Sequence, residues 1–142
     1  MKPSFKIDKN GRWIHEGREI HRQKLVKLFS TILKRDEQGR YWLQTPVEKV
    51  EVIVEDAPFI VTDLKIDGEG ENRQITFITN VEEEIPLESQ KQFIVRDGIP
   101  YIAMRDNLEA KLRRRLVFDL ADLCVDRHEK TGFYSAGQFF EL

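Results

Sequence analysis

Three carboxylates, Glu48, Glu55 and Asp56, fall close together in the chain and could supply a general acid and a general base to a hydrolytic reaction. That chemistry needs two of them in one pocket with pKa values driven apart. Side chains that alternate across a strand leave most carboxylates at such spacing solvated instead. The histidines His15, His21 and His128 are not at metal-ligand spacing with one another or with Cys124. Cys124 has no second cysteine to pair with, and its neighbours Leu120, Leu123 and Val125 favour a buried, inert thiol. Gly68-Glu69-Gly70 lies between two strand-like runs and not ahead of a helix, so it reads as a hairpin tip and not as a phosphate loop. These residues point to a protein that is not an enzyme, with no cofactor and no metal.

Segregation of charge is the stronger pattern. Residues 18–35 carry Arg18, Arg22, Lys24, Lys27, Lys34 and Arg35 against Glu19, a balance of +5. Residues 105–115 carry Arg105, Lys111, Arg113, Arg114 and Arg115 against Asp106 and Glu109, a balance of +3. Acidic residues concentrate at 48–56, 67–71 and 82–88. Basic flanks that converge on one cleft would attract a phosphate-bearing ligand, and flanks that do not are solvated helix faces.

The elements that must position these groups follow from periodicity and turn chemistry. Asn10-Gly11 predicts a hairpin between Phe5/Ile7 and Trp13/Ile14. Helical spacing of Leu25, Leu28, Phe29, Ile32 and Leu33 predicts a helix over residues 21–35. Tyr41-Trp42-Leu43 starts a strand that Pro46 ends, and Val50, Val52 and Val54 alternate with polar residues, Ile53 excepted. Residues 59–66 and 73–79 form a longer hairpin around the polar stretch 67–72, and residues 82–92 read as a surface connection. Asp97-Gly98 marks another hairpin. After it, Asp106 or Asn107 caps a helix, Glu109 standing in capping-box position to Asp106, and Leu108, Leu112, Leu116, Leu120 and Leu123 form its stripe. The aromatic tail, residues 133–140, packs back on the body.

The fold class is therefore α+β, with mostly antiparallel strands and two main helices. Both ends of the chain run turn, aromatic strand, helix, glycine, aromatic strand, which suggests a duplicated hairpin-helix-strand unit. The reading places an N-terminal subdomain at residues 1–46 and a C-terminal antiparallel sheet plus helix at 47–142, packed as one compact unit. A chain of 142 residues with 40% hydrophobic and 34% charged residues can bury a core of its own. A formal charge of −2 gives no global attraction to duplex nucleic acid. The N-terminal residues 1–9 lack an apolar core and no apolar run reaches membrane-spanning length, so a cytoplasmic location is expected.

Several segments together carry a resemblance: residues 22–35, Tyr41-Trp42-Leu43-Gln44-Thr45-Pro46 through Val50, Val54-Glu55-Asp56-Ala57-Pro58-Phe59, Pro100-Tyr101-Ile102 with Leu108-Glu109-Ala110, and Ser135-Ala136-Gly137-Gln138-Phe139-Phe140. Over nearly its whole length the chain resembles an uncharacterised bacterial domain-of-unknown-function family. The resemblance implies a duplicated core whose C-terminal half is similar to a pleckstrin-homology barrel. It also implies a small anionic, nucleotide-type ligand at the interface between the halves, and a sensing role in signal transduction with a protein partner in the pathway. Carried onto this sequence, it places Arg35, Thr45, Glu48, Lys49, Glu55, Asp56, Arg105, Glu109 and Phe139 at that interface, and the charge pattern adds Arg113. Two rival functions are a protein-interaction domain using strand edges or the aromatic tail, and a small hydrolase using Glu48, Glu55 and Asp56. On the leading reading, Arg35→Glu and Arg113→Glu each abolish binding of an anionic ligand in calorimetric titrations and leave the melting temperature nearly unchanged.

Overall fold

The computed structural model describes residues 4–142; residues 1–3, where the N-terminal stretch discussed above begins, lie outside the described residues. β1 (Phe5–Ile7) and β2 (Trp13–His15) are antiparallel, Ile7 facing Trp13, and β3 (Arg18–Glu19) extends the meander. The Asp8 carboxylate organises the first turn by accepting the backbone N–H groups of Asn10 and Arg12, each at 2.9 Å, and the Arg12 Nε at 2.8 Å. α1 (Gln23–Thr31) follows, then β4 (Leu33–Arg35), β5 (Tyr41–Gln44) and β6 (Lys49–Val54). The six strands form one sheet in the order β3-β2-β1-β6-β5-β4, two meanders joined by the parallel β1·β6 ladder. β6 thus completes the first sheet, beyond the 46/47 boundary read from the sequence.

The second half repeats that topology. β7 (Phe59–Asp67), β8 (Gln74–Thr79), β9 (Glu84–Pro86), β10 (Phe93–Arg96), β11 (Ile99–Ala103) and β12 (Glu109–Leu112) form a sheet in the order β10-β11-β12-β7-β8-β9. Here too the first and last strands pair in parallel, Leu112 beside Val61, and join two meanders. α2 (Arg114–Ala121) then leads to a separate antiparallel sheet of β13 (Val125–Arg127), β14 (Lys130–Ser135) and β15 (Gln138–Glu141). The protein is α+β with two similar halves. Meander, helix, meander occurs around α1 and again around α2, which is the likeness visible between the chain ends; the hydrogen bonding repeats in β1 to β6 and β7 to β12.

Three expected elements change. α1 stops at Thr31 because the Ser30 and Thr31 hydroxyls turn back to the Lys27 and Leu28 carbonyls at 2.6 Å and Ile32 leaves helical geometry. Leu33, Lys34 and Arg35 are consequently strand residues, and Leu28, expected in the stripe, is exposed. The helix expected from Asp106 begins only at Arg114. Asp106 and Asn107 have φ of 57° and 60°, which breaks any helix there. Leu108, Ala110 and Leu112 are buried as alternate residues, and leucines spaced by four satisfy a strand as well as a helix. Residues 82–92 are not only a surface connection, since β9 pairs with β8 and sends Ile85 and Leu87 into the core.

A single cluster of buried residues runs through both halves and includes Trp13, Leu33, Phe59, Phe77, Leu116 and Phe133. The aromatic tail joins it through Phe140, stacked on Phe133 with centroids 5.5 Å apart. The two halves approach closely at Gly11. A Cβ there would lie 2.6 Å from Ile60 Cγ1, so only glycine lets the β1–β2 turn reach β7. Asn80 secures the approach: its side chain accepts the Ile60 N–H at 3.1 Å and donates to the Gly11 carbonyl at 3.3 Å, and its own carbonyl accepts Gln23 Nε2 at 2.8 Å.

Gly11 and Gly17 have nearly the same left-handed φ, 79° and 82°, but nothing lies within 4 Å of a Cβ at Gly17. Gly17→Ala should therefore cost only the backbone penalty of roughly 1–2 kcal/mol. Gly11→Ala should cost about 1–3 kcal/mol more through overpacking, read from the difference in denaturant unfolding midpoints.

Candidate functional site

The β12–α2 junction and the β1–β2 turn meet across the boundary between halves. Leu112 at the end of β12 points into the core, which turns its strand neighbour Lys111 outward. Arg113 then adopts an extended N-cap conformation with no side-chain cap, and Arg114 is the first helical residue. From the other half, the Asp8-centred turn presents Lys9 and Asn10. Its backbone is pinned by the Lys9 N–H donating to Glu55 at 3.0 Å. Lys9, Asn10, Lys111, Arg113 and Arg114, with Ile60 and Leu112 as apolar lining, surround a recess of about 390 Å³. Among the described residues, no carboxylate lines it. Lys111 is paired with Asp56 at 2.9 Å, and among the described residues Lys9, Arg113 and Arg114 are in no salt bridge.

Behind Lys111 runs a polar network on the β11–β12 surface. Asp56 accepts the Tyr101 hydroxyl at 2.8 Å together with the Lys111 ammonium. Arg96 lies over the Tyr101 ring, 4.7 Å from its centroid, and is held in a two-pronged pair by Glu109. Burial alone pushes the Asp56 carboxyl up, but hydrogen bonds from Lys111 and Tyr101 and the nearby cations more than offset it, leaving Asp56 below the ordinary carboxylate range. Burial, followed by the hydrogen bond to Asp56, pushes the Tyr101 phenol up to about 12. Glu55 is also held below the usual range, first by Lys6 at 2.7 Å and then by the Lys9 N–H.

Basic groups of the two segments do meet in one recess, but not as free charges. Lys27 and Lys34 line a hollow of about 530 Å³ with Arg105. All three are neutralised, by Glu82 at 2.7 Å, Asp106 at 3.2 Å and Glu83 at 3.2 Å respectively. Arg35, carried to β4 by the early end of α1, lines a third recess of about 420 Å³ together with Glu109, Asp36 and Glu37. There it donates to the Asn107 carbonyl at 3.4 Å and lies over the Tyr41 ring.

The other expected site residues fall in several places. Arg105 is a tie between halves, donating to the Ser30 carbonyl at 3.0 Å as well as to Glu83. Thr45 and Glu48 close the β5–β6 turn on each other, with the Glu48 N–H donating to the Thr45 hydroxyl at 3.1 Å. Lys49 lies over the Trp42 ring at 4.3 Å. Phe139 covers Gly132, where a Cβ would lie 2.7 Å from its ring, and lines a hollow with Phe93 and Gln90. Glu55 and Asp56 are sequence neighbours with separate partners, and Arg113 alone of the expected set lines the basic recess. In the sequence Lys111 and Arg114 stand out only as members of the basic run 105–115, and Lys9 does not stand out. The run Arg113-Arg114-Arg115 was a usable signal for Arg114, whereas nothing local links Lys9 to residues a hundred positions away. Cys124 is half-buried, its thiol pushed up by burial. Among the described residues, no three His, Cys, Asp or Glu gather as a metal site, and no helix is long and apolar enough to cross a membrane.

Two family profiles tile the chain: "Domain of unknown function (DUF1285), N-terminal domain" over residues 2–57 and "Protein of unknown function (DUF1285), C-terminal domain" over residues 58–142. The chain belongs to the DUF1285 family. Their junction falls between β6 and β7, where one sheet ends and the next begins. A DUF1285 family protein from Silicibacter pomeroyi has a solved structure similar to this one, with 34% identity and a TM-score of 0.88 over 99% of this chain and 80% of that one. A second, from Shewanella baltica, shows 30% identity and a TM-score of 0.72 over 84% of this chain and 91% of that one. No protein of curated function matches significantly.

The Tyr101–Asp56 contact has a pH signature. The phenol starts from an ordinary value of 10.0 and rises to about 12 in the fold. The unfolded chain thus ionises first, and the stability this contact contributes is fully present below about pH 10 and lost as pH climbs through 12. In an ultraviolet titration of the native protein, a phenolate step near pH 12 is expected to vanish in Tyr101→Phe.

Proposed function

We propose that this protein is a non-enzymatic binding module that holds a small phosphate-bearing anion in the recess between the Lys9–Asn10 turn and the β12–α2 junction. One observation carries this reading: Lys9, Arg113 and Arg114, three cations that among the described residues have no carboxylate partner, line a hollow that no described carboxylate enters and that both halves form. Like charges held close together repel, and an anion that neutralises them gains charge-assisted hydrogen bonds in return. Guanidinium groups suit a phosphate because their donors match its oxygens in pairs. The uncapped first turn of α2 adds a favourable dipole to these side chains without being needed for the argument.

A sensing role follows from the position of the recess. A ligand touching Lys9 in the first half and Arg113 in the second would stabilise their apposition by linkage, and a cytoplasmic protein partner that reads that apposition would receive the signal. The anion is of nucleotide or other phosphate type. A hydrolytic role for Glu48, Glu55 and Asp56 finds less support, because Glu48 is engaged in a turn and the Glu55 and Asp56 carboxyls are both depressed, not driven apart. An interaction role for the aromatic tail is disfavoured by the burial of Phe133 and Phe140.

Isothermal titration with pyrophosphate should show binding that weakens as salt rises. Lys9→Glu and Arg113→Glu should each reduce affinity at least tenfold, whereas Arg35→Glu should retain it. Loss of binding in Arg35→Glu with full binding in Arg113→Glu would overturn the assignment.

A further inference from the structure

The basic recess has an apolar neighbour. Ile99 and Pro100 of β11, Leu112 of β12, and Val117 and Phe118 of α2 line a groove of about 400 Å³. Lys111, Leu112 and Arg114 line both hollows, so the two are contiguous. Arg114 and Phe118 are one helical turn apart and therefore share a face of α2. Phe118 is 62% exposed and Ile99 36% exposed, although large apolar side chains gain from burial. The basic end and the apolar end thus form one elongated depression with a positive pole and a greasy pole.

From this we infer that the ligand is an anionic amphiphile, an alkyl or acyl phosphate whose head occupies the Lys9–Arg113–Arg114 recess and whose chain lies along Ile99, Val117 and Phe118. The inference rests on the proposed anion site and specifies what else the ligand carries. A nucleobase fits this groove poorly. Base edges present donors as well as acceptors, and the side chains lining the groove include only two polar groups, Lys111 and Arg114, both of which donate and neither of which accepts. An aliphatic chain asks for no such partners. Lys111 is drawn toward Asp56, leaving Arg113 and Arg114 for the head group.

The test titrates the full chain with inorganic phosphate, butyl phosphate, octyl phosphate, octanol and adenosine monophosphate, each as free monomer, and adds sedimentation with phosphatidate vesicles. Each methylene buried raises affinity up to about fourfold. Octyl phosphate is expected to bind at least tenfold more tightly than butyl phosphate, and octanol far more weakly than either phosphate ester. Phe118→Ser should erase most of the octyl advantage while inorganic phosphate, which has no chain to lay along Phe118, binds as it does to the unsubstituted protein. If octyl phosphate binds no better than inorganic phosphate, or if adenosine monophosphate matches it, the amphiphile inference falls and the anion site stands. If no phosphate compound binds, the anion site falls as well. Binding to phosphatidate vesicles without binding of free octyl phosphate would overturn the inference in favour of a membrane surface.

Discussion

Close approach of backbone to side chain at Gly11 and Ile60 is the constraint from which the geometry of the interface follows. With no Cβ at Gly11, the β1–β2 turn sits directly against β7, and Asn80 ties both to α1 through hydrogen bonds on three sides. Packed interiors transmit small displacements, so a shift of the turn by the width of a methyl group would move Lys9 away from Arg113. Two independent six-stranded sheets become one protein there, and the basic recess is a by-product of the same contact.

Around this fixed point the interface is polar and divided by charge. On one side Arg105, Lys27 and Lys34 are each matched by a carboxylate of the second half, which makes that side adhesive and electrically quiet. Such partly exposed pairs contribute modestly to stability, and their value lies more in orienting the halves. On the other side the network of Asp56, Tyr101, Arg96 and Glu109 consumes its own charges and holds Lys111 by its ammonium. Lys9, Arg113 and Arg114, which line the recess at the β12–α2 junction, are in no salt bridge among the described residues. Positive charge therefore gathers in that recess although the protein as a whole is slightly acidic.

Local chemistry made much of the fold legible. Asn10-Gly11 and Asp97-Gly98 sit in turns where left-handed residues are required, and the hairpins around them are where those dipeptides indicate. Valines 50, 52 and 54 face inward with Ile53 exposed, as their alternation implies. Helix lengths were less legible, because leucines at intervals of four between 108 and 120 are compatible with two periods. Two left-handed residues at 106 and 107, in the turn between β11 and β12, decided the matter.

By itself the sequence determined the α+β class, the turn positions, a repeated chain order, and the fact that cations cluster near 113–115. Those properties are set by side-chain type and short-range backbone preference, which act over a few residues. Tertiary structure decided which cations stay unpaired and which strands pair in parallel, for both depend on contacts between residues far apart in the chain. It carried Arg35 away from Arg113, brought Lys9 beside it, and paired Lys27, Lys34 and Arg105 with carboxylates, because charge pairing depends on distance in space and not on distance along the chain.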